Sequence, residues 1–372
     1  MNPNRPIILL VLTFAAFTAC ELVDGKDTVG TESDADTDAD TDADTDADTD
    51  SDTDTDDTNA GTFGDIAGYT EVIYAEDLVV VGDYAYVCAK LHGINVVKVS
   101  NPASPYVINE ISTSEAWDLT ANNGVLYLAD RSGGLRIYDI QTKPELPDEI
   151  ATYQTNFDLV SVAYQSGKVY LGGGTGSDGM LEVVDVSTPS KPTYVASYDK
   201  ITGNNSAASS LAVGGDYIYY GRADGVVVTL HFDGANFSQT SSYDHPASAN
   251  NDKWALGMWI DSNVLYVASW GAGVLIMDLT NPADPSLLSA FLPSNGAYYD
   301  VWAKGDRAYV AVDLGLAVVN TSDLSNPSLV GGDFISAKTQ LDDGLHGVWV
   351  VGDYAYVADN KEQNLTVLDI GE

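Results

Sequence analysis

Short apolar runs, each followed by a polar pair and then an alternating strand, return along the chain at a near-constant interval. The clearest copy is Leu78-Val79-Val80-Val81, then Gly82-Asp83, then Tyr84-Ala85-Tyr86-Val87. With the second tyrosine as a marker, the equivalents are Tyr127, Tyr170, Tyr219, Tyr266, Tyr309 and Tyr356, at steps of 41, 43, 49, 47, 43 and 47 residues. Four and three residues before each marker stand GD, NG, SG, GD, SN, GD and GD. Such pairs supply the positive φ that two-residue hairpin turns require. A second turn usually ends in glycine (Gly93, Gly134, Gly225, Gly273, Gly315) and leads into a third run, such as INVVKVS at 94–100 or LEVVDVS at 181–187. Prolines then space the loops Pro102/Pro105, Pro144/Pro147, Pro189/Pro192 and Pro282/Pro285 before an irregular fourth strand. Proline lacks a donor and interrupts a ladder, so these loops part the third strand from the fourth. A period of 40–50 residues in strand–turn–strand units predicts an all-β, seven-bladed β-propeller over residues 62–372, with strands a to d running from the axis outward.

The seventh copy reaches Glu372 directly after strand c and has no fourth strand of its own. Two strand-like runs, TFGDIA and YTEVIY, stand between Thr62 and Tyr74. One of them is expected to pair as the outer strand of the last blade and close the ring, because an open blade edge invites aggregation.

The strand c runs resemble the LVIVD repeat, named for its consensus pentapeptide. The resemblance covers residues 78–372. Lys98, Leu230 and Asn320 depart from the aspartate at the fifth position, and blade 4 lacks the proline loop. The resemblance implies a secreted or surface propeller and carries no general catalytic motif.

The segment ahead of the repeats has a different character. Residues 1–20 read as a signal peptide: a short polar start with Arg5, then a 13-residue apolar run from Ile7 to Ala19. That length suits a signal peptide and is short for a bilayer span. The ending Phe17-Thr18-Ala19-Cys20 resembles the bacterial lipobox, with Phe17 in place of the usual leucine. The resemblance implies a lipidated Cys20 at the start of the mature chain and a membrane contact through it; two or more acyl chains anchor stably where one does not.

Residues 21–61 read as a disordered linker. Asp fills every second position from Asp34 to Asp56, and no residue from Thr31 to Ala60 is aromatic, aliphatic beyond alanine, or glycine. Such a segment buries too little to offset its ordering entropy. About 40 residues reach roughly 130 Å when stretched and about 35 Å as a coil. Alternating aspartates offer weak calcium binding, without the turn glycine and closing glutamate of a calcium loop.

The net charge of −39 is shared by both parts: residues 21–60 hold 17 acids, and residues 61–372 hold 38 acids against 14 bases. A body of that sign excludes nucleic acid as a partner, since it repels phosphate backbones. Two cysteines, Cys20 and Cys88, make neither a disulfide framework nor a structural zinc site. Cys88 stands two residues after its marker, where other blades carry alanine or glycine, and reads as a buried inert thiol.

Candidate chemistry is confined to the inner strands. Nine residues before the marker stand Asp77, Asp118, Ser161, Ser210, Gly257, Asp300 and Gly347. Asp77, Asp118 and Asp300, with His346 beside the blade 7 position, are expected at one mouth of the central channel. They either tie down the loop before their own strands or form a weak cation or polar-ligand site. Seven residues before the marker, Trp259, Trp302 and Trp349 are expected to fill the wedges between blades. The four histidines show no metal spacing, and Gly172-Gly173-Gly174-Thr175-Gly176 lacks the helix of a phosphate loop. No catalytic triad, metal set or cofactor motif is present. The expectation is a non-catalytic, lipid-anchored binding or scaffold propeller of the bacterial cell envelope, whose partner is a protein or polar ligand. The alternative is an extracytoplasmic enzyme or metal-binding protein that uses the channel mouth.

Overall fold

The computed structural model describes residues 64–175, 178–201, 208–244, 254–292, 297–313, 315–330 and 345–371. Residues 1–20 with Cys20, expected as a signal peptide, and residues 21–61, expected as a linker, lie outside the described residues, as does His245. No helix among the described residues is long and apolar enough to cross a membrane.

Seven four-stranded antiparallel sheets succeed one another, and six are continuous in sequence in the order a-b-c-d. Every hairpin turn between strands a and b has positive φ at its first central residue: Gly82, Asn123, Ser166, Gly215, Ser262, Gly305 and Gly352. The seventh sheet takes its outer strand from Asp65–Glu71, which pairs with the last strand, Asn364–Asp369. The closing strand is neither of the two expected runs alone. It takes its first residues from TFGDIA and its last from YTEVIY, with a bulge between Ile66 and Gly68. Gly68 is required there, because a Cβ would stand 2.5 Å from the Pro102 carbonyl and 2.8 Å from Pro105 Cδ of the blade 1 loop.

Seven apolar clusters form the core, each shared by two neighbouring blades. Each marker tyrosine is buried in the cluster facing the next blade. The Tyr86 hydroxyl donates to the Pro144 carbonyl at 2.8 Å, and Tyr219 donates to the Pro282 carbonyl at 3.2 Å. One residue type thus serves both links of the ring: its ring fills the wedge and its hydroxyl holds the neighbour's proline loop.

The aspartate that ends strand c also has a local cause. Asp139 accepts from the N–H groups of Gln141 and Thr142, and Asp185 and Asp278 accept from Ser187 and Thr280 two residues on. These turns launch the proline loop, and the hydrogen bonds hold the three carboxyls below the usual range. In blade 1, Lys98 replaces the aspartate and pairs instead with Asp83 at 2.9 Å. In blade 4 the equivalent Leu230 is buried, and Asp233 caps a different turn. Cys88 is fully buried, and burial pushes its thiol up, as an inert packing residue requires.

Candidate functional site at the channel mouth

Three layers of strand a positions stack along the axis. The lowest holds the tryptophans, seven residues before the markers. Trp302 packs on the cluster between blades 6 and 7, as expected of a wedge residue. The three rings also meet one another: Trp259 lies 5.7 Å from Trp302 and 5.6 Å from Trp349, centroid to centroid. Blades 5 and 7 are not neighbours, so the second contact crosses the lumen. The same position carries Val79, Thr120, Ala163 and Ala212 elsewhere. Three indoles fill what four small side chains leave open.

The next layer holds the carboxylates. Asp77 accepts from the backbone N–H of Leu119 at 3.2 Å. Asp118 accepts from the Val162 N–H and the Ser161 hydroxyl, both at 2.8 Å. Asp300 accepts from the Val348 N–H at 3.0 Å. The expectation that each aspartate ties the loop before its own strand is corrected: each holds strand a of the following blade. The physical reason is the spacing of the inner strands. Near the axis the neighbouring backbone is closer than the loop above. Glycine completes the layer. A Cβ on Gly257 would stand 2.6 Å from the Asp300 Cα, and one on Gly347 would stand 2.9 Å from the Asp77 Cα.

All three carboxyls are half-buried by area yet walled by protein, as befits side chains lining a narrow lumen. Asp77 also shares a hydrogen bond with Asp118. Burial, then the charges of Asp118 and Asp300, push Asp77 well up. Burial raises Asp118 against its hydrogen bonds, and raises Asp300 to about 6. Among the described residues no group of three histidine, cysteine or acidic side chains is arranged to hold a metal.

The top layer is where the chemistry varies. Ten residues before the markers stand Glu76, Trp117, Val160, Ser209, Leu256, Tyr299 and His346. In blades 3 to 7 this residue is the extra one in a β-bulge, skipped between Leu159 and Ser161, Ala208 and Ser210, Ala255 and Gly257, Tyr298 and Asp300, and Leu345 and Gly347. A bulge re-aims its side chain. All seven of these residues are half-buried, whereas the seven just before them are buried. Four residues after the markers, in the loops between strands b and c or, for Gly174, in the end of strand b itself, stand Lys90, Arg131, Gly174, Ala223, Trp270, Asp313 and Asn360. Strands a and b are antiparallel, so the two positions share one end of the propeller.

Their side chains interlock. Trp254 meets Trp270 at 5.4 Å, Trp270 meets Tyr299 at 5.6 Å, and Tyr299 stacks on His346 at 4.5 Å. The Tyr299 hydroxyl donates to Asp313 at 3.0 Å. His346 Nδ1 lies 3.1 Å from Glu76, which also receives Lys90 at 2.9 Å and the Asn360 amide at 2.8 Å. Lys90 and Arg131 lie over the Trp117 ring, at 4.8 and 5.5 Å from its centroid. Arg131 then pairs with Glu115 at 2.9 Å and Asp158 at 3.3 Å. Burial pushes the Glu76 carboxyl up, but the hydrogen bond and charge of His346 with the charge of Lys90 outweigh it and hold Glu76 below its ordinary value. Lys90 and Arg131 adopt left-handed φ of 46° and 33°. Their carbonyls accept from Ala116 and Leu159 of the following blades, at 2.9 and 3.1 Å, which supports that conformation.

Of the residues singled out from sequence, His346 belongs to this upper layer, and Asp77, Asp118 and Asp300 lie beneath it. The sequence reading missed Glu76, Trp117 and Tyr299 at the bulge position, and Lys90, Arg131 and Trp270 in the loops. The available signal was contrast down the aligned copies: the residue ten before the marker changes chemistry from blade to blade, while the positions eleven and eight before it are small or apolar in every blade but for Tyr298.

Solved structures with the same fold include the RRP9 WD40 repeats, with a TM-score of 0.62 at 12% identity over 82% of this chain and 97% of that one. U3-55K gives 0.63 at 13% identity over 82% and 98%. The computationally designed Ika8 protein gives 0.57 at 12% over 82% and 99%. These likenesses establish the fold alone. No curated protein matches the sequence. The LVIVD repeat matches residues 74–113, 114–155, 176–200, 255–292, 295–332 and 346–372. The unmatched stretch between 200 and 255 is blade 4, where Leu230 and the missing proline loop break the pattern. With six repeats spanning more than half its length, the chain belongs to the LVIVD-repeat family.

Proposed function

We propose that the protein is a non-catalytic binding propeller of the bacterial cell envelope, anchored through lipidated Cys20 and spaced from the membrane by its acidic segment. The observation that carries the binding role is the interlocked upper layer at the channel mouth. There, two register positions vary in chemistry while the framework beneath repeats. Rigid repeats that present variable side chains at one mouth are built for recognition. The lumen carboxylates favour binding over turnover, because each is committed to the backbone of the next blade. The apolar run ending at Cys20 supports the anchor, and the Asp-rich tract supports the spacer.

Fractionation of the expressed full chain tests the anchor. Wild type should sediment with membranes and take up a labelled fatty acid, and Cys20→Ser should do neither. Soluble wild type, or Cys20→Ser protein that still sediments, would remove the anchored reading.

A further inference from the structure

We infer that the channel mouth recognises an uncharged glycan, stacked on the aromatic arc of Trp254, Trp270 and Tyr299. This rests on the binding role proposed above and adds the ligand's chemical class.

Three observations lead there. First, the cations at the mouth are already held by carboxylates. Lys90 and His346 meet Glu76, and Arg131 meets Glu115 and Asp158. An anionic ligand would have to displace a carboxylate from these pairs, against a chain of net charge −39. Second, the cation place on Trp117 is filled by the chain itself, since Lys90 and Arg131 both lie over its ring. An ammonium ligand would compete with two tethered cations. Third, the other end of the arc is aromatic and accessible. Trp254 is 44% exposed, and Trp270 and Tyr299 are half-buried beside it. Their edge-to-face packing fixes the planes before a ligand arrives, which lowers the ordering cost of binding.

What remains for a ligand is a set of rigid flat faces next to paired carboxylate, guanidinium and amide groups. Those groups keep unused lone pairs and N–H bonds, while each cation is already held by a carboxylate. A pyranose matches both features, with C–H bonds on its faces and hydroxyls at its rim. Blades 3 and 4 carry Val160, Ser209, Gly174 and Ala223 at the two positions. Among the described residues the arc is therefore one-sided.

The test uses the full chain on an array of neutral polysaccharide fragments and neutral glycoprotein glycans, with sialylated and sulfated glycans as comparators. Calorimetric titration with the best oligosaccharide, and with spermidine, follows. The expected result is binding to a neutral glycan that changes less than twofold between 0.05 and 0.5 M NaCl. It should fall at least tenfold in Trp270→Ala and in Trp254→Ala. The exposed Trp254 can be removed without a cavity, so its variant guards against a folding artefact at Trp270. Four outcomes would overturn the inference: no neutral glycan bound by wild type, preference for the anionic glycans, preference for spermidine, or unchanged affinity in both variants. Chromatography of the recovered oligosaccharide separates the two readings. A shortened sugar would end the non-catalytic role and leave glycan recognition standing, whereas an array without neutral binders would end glycan recognition and leave the anchored binding role standing.

Discussion

Blades 3 and 4 and the arc from blade 5 round to blade 2 are built on one framework, yet their described residues at the mouth differ. Both regions carry the marker tyrosine, the same hairpins, and a buried residue eleven before the marker. The arc then presents Leu256, Tyr299, His346, Glu76 and Trp117 ten residues before the markers, with Trp270, Asp313, Asn360, Lys90 and Arg131 beside them. The bare side presents Val160, Ser209, Gly174 and Ala223. The repeated framework is the same on both sides, so the difference supports placing the proposed binding surface on the arc. The layers below also differ, but there the contrast is structural: Ser161 and Ser210 occupy the level where the arc carries Gly257, Asp300, Gly347, Asp77 and Asp118.

The largest expected effect breaks that lower layer. In Gly257→Val the new Cβ would meet backbone, at 2.6 Å from the Asp300 Cα and 2.7 Å from the Tyr299 carbonyl. Backbone cannot yield as a side-chain tip can, so a loss of about 4 kcal/mol or more, or failure to fold, is expected. On the bare side, Ser210→Ala removes a hydrogen bond to the Ala255 carbonyl and should cost about 1 kcal/mol. Equal losses in thermal denaturation would mean that close approach at this level is no special feature of the arc.

The second effect has the opposite sign. The folded state raises Asp77 and Asp300, Asp300 to about 6, so it binds their protons more tightly than the unfolded chain does. Their contribution to stability is intact below about pH 4, the unfolded value, and is lost as pH rises through the folded values. Asp77→Asn removes that loss. Its amide oxygen can still accept from Leu119, and its N–H can donate to Asp118 in place of the shared proton. The variant should match wild type at pH 4 and gain on the order of 1 kcal/mol at pH 7.5, a figure discounted for the water that reaches the lumen. A variant less stable than wild type at pH 7.5 would show that the carboxylate is held ionised.

Much of the fold was legible because each blade restates the same physical problem. The turn pairs, the glycine before strand c and the tyrosine spacing are backbone and packing demands that repeat, so seven copies average away local ambiguity. The closing strand was legible only in outline. Gly68 and the bulge beside it let one strand run across two apparent segments, and no periodicity announces a bulge. The mouth was half legible for the same reason. Counting in twos along strand a leads from the position seven before the marker to Asp77, Asp118 and Asp300, but the residue ten before the marker falls out of that count, and in blades 3 to 7 it is the extra residue of a bulge. Glu76, Trp117 and Tyr299 were therefore passed over, and His346 was noticed only as a neighbour.

A third expectation concerns the family's own signature. If the aspartate ending strand c is retained for its turn, Asp139→Ala should cost about 1 kcal/mol, since it frees the N–H groups of Gln141 and Thr142 on an exposed loop. Asp139→Asn, which keeps an acceptor, should recover more than half of that. Chemical denaturation distinguishes the two. Equal losses would assign the aspartate's role to charge rather than to the turn.

The smallest effect tests whether the arc's charges are spent on each other. Lys90 is 28% exposed and shares Glu76 with His346 and Asn360. Methionine at this position keeps an apolar stem over Trp117 and removes the charge. Two of the three groups on the Glu76 carboxylate survive, so Lys90→Met should lower stability by less than about 1 kcal/mol at low salt. The gap should close at 0.5 M NaCl, where screening acts within a few ångströms. Glycan affinity should shift less than threefold, because the lysine's charge is already answered inside the protein. A tenfold loss of affinity with unchanged stability would instead put Lys90 in direct contact with the ligand, and the recognised species would then carry negative charge.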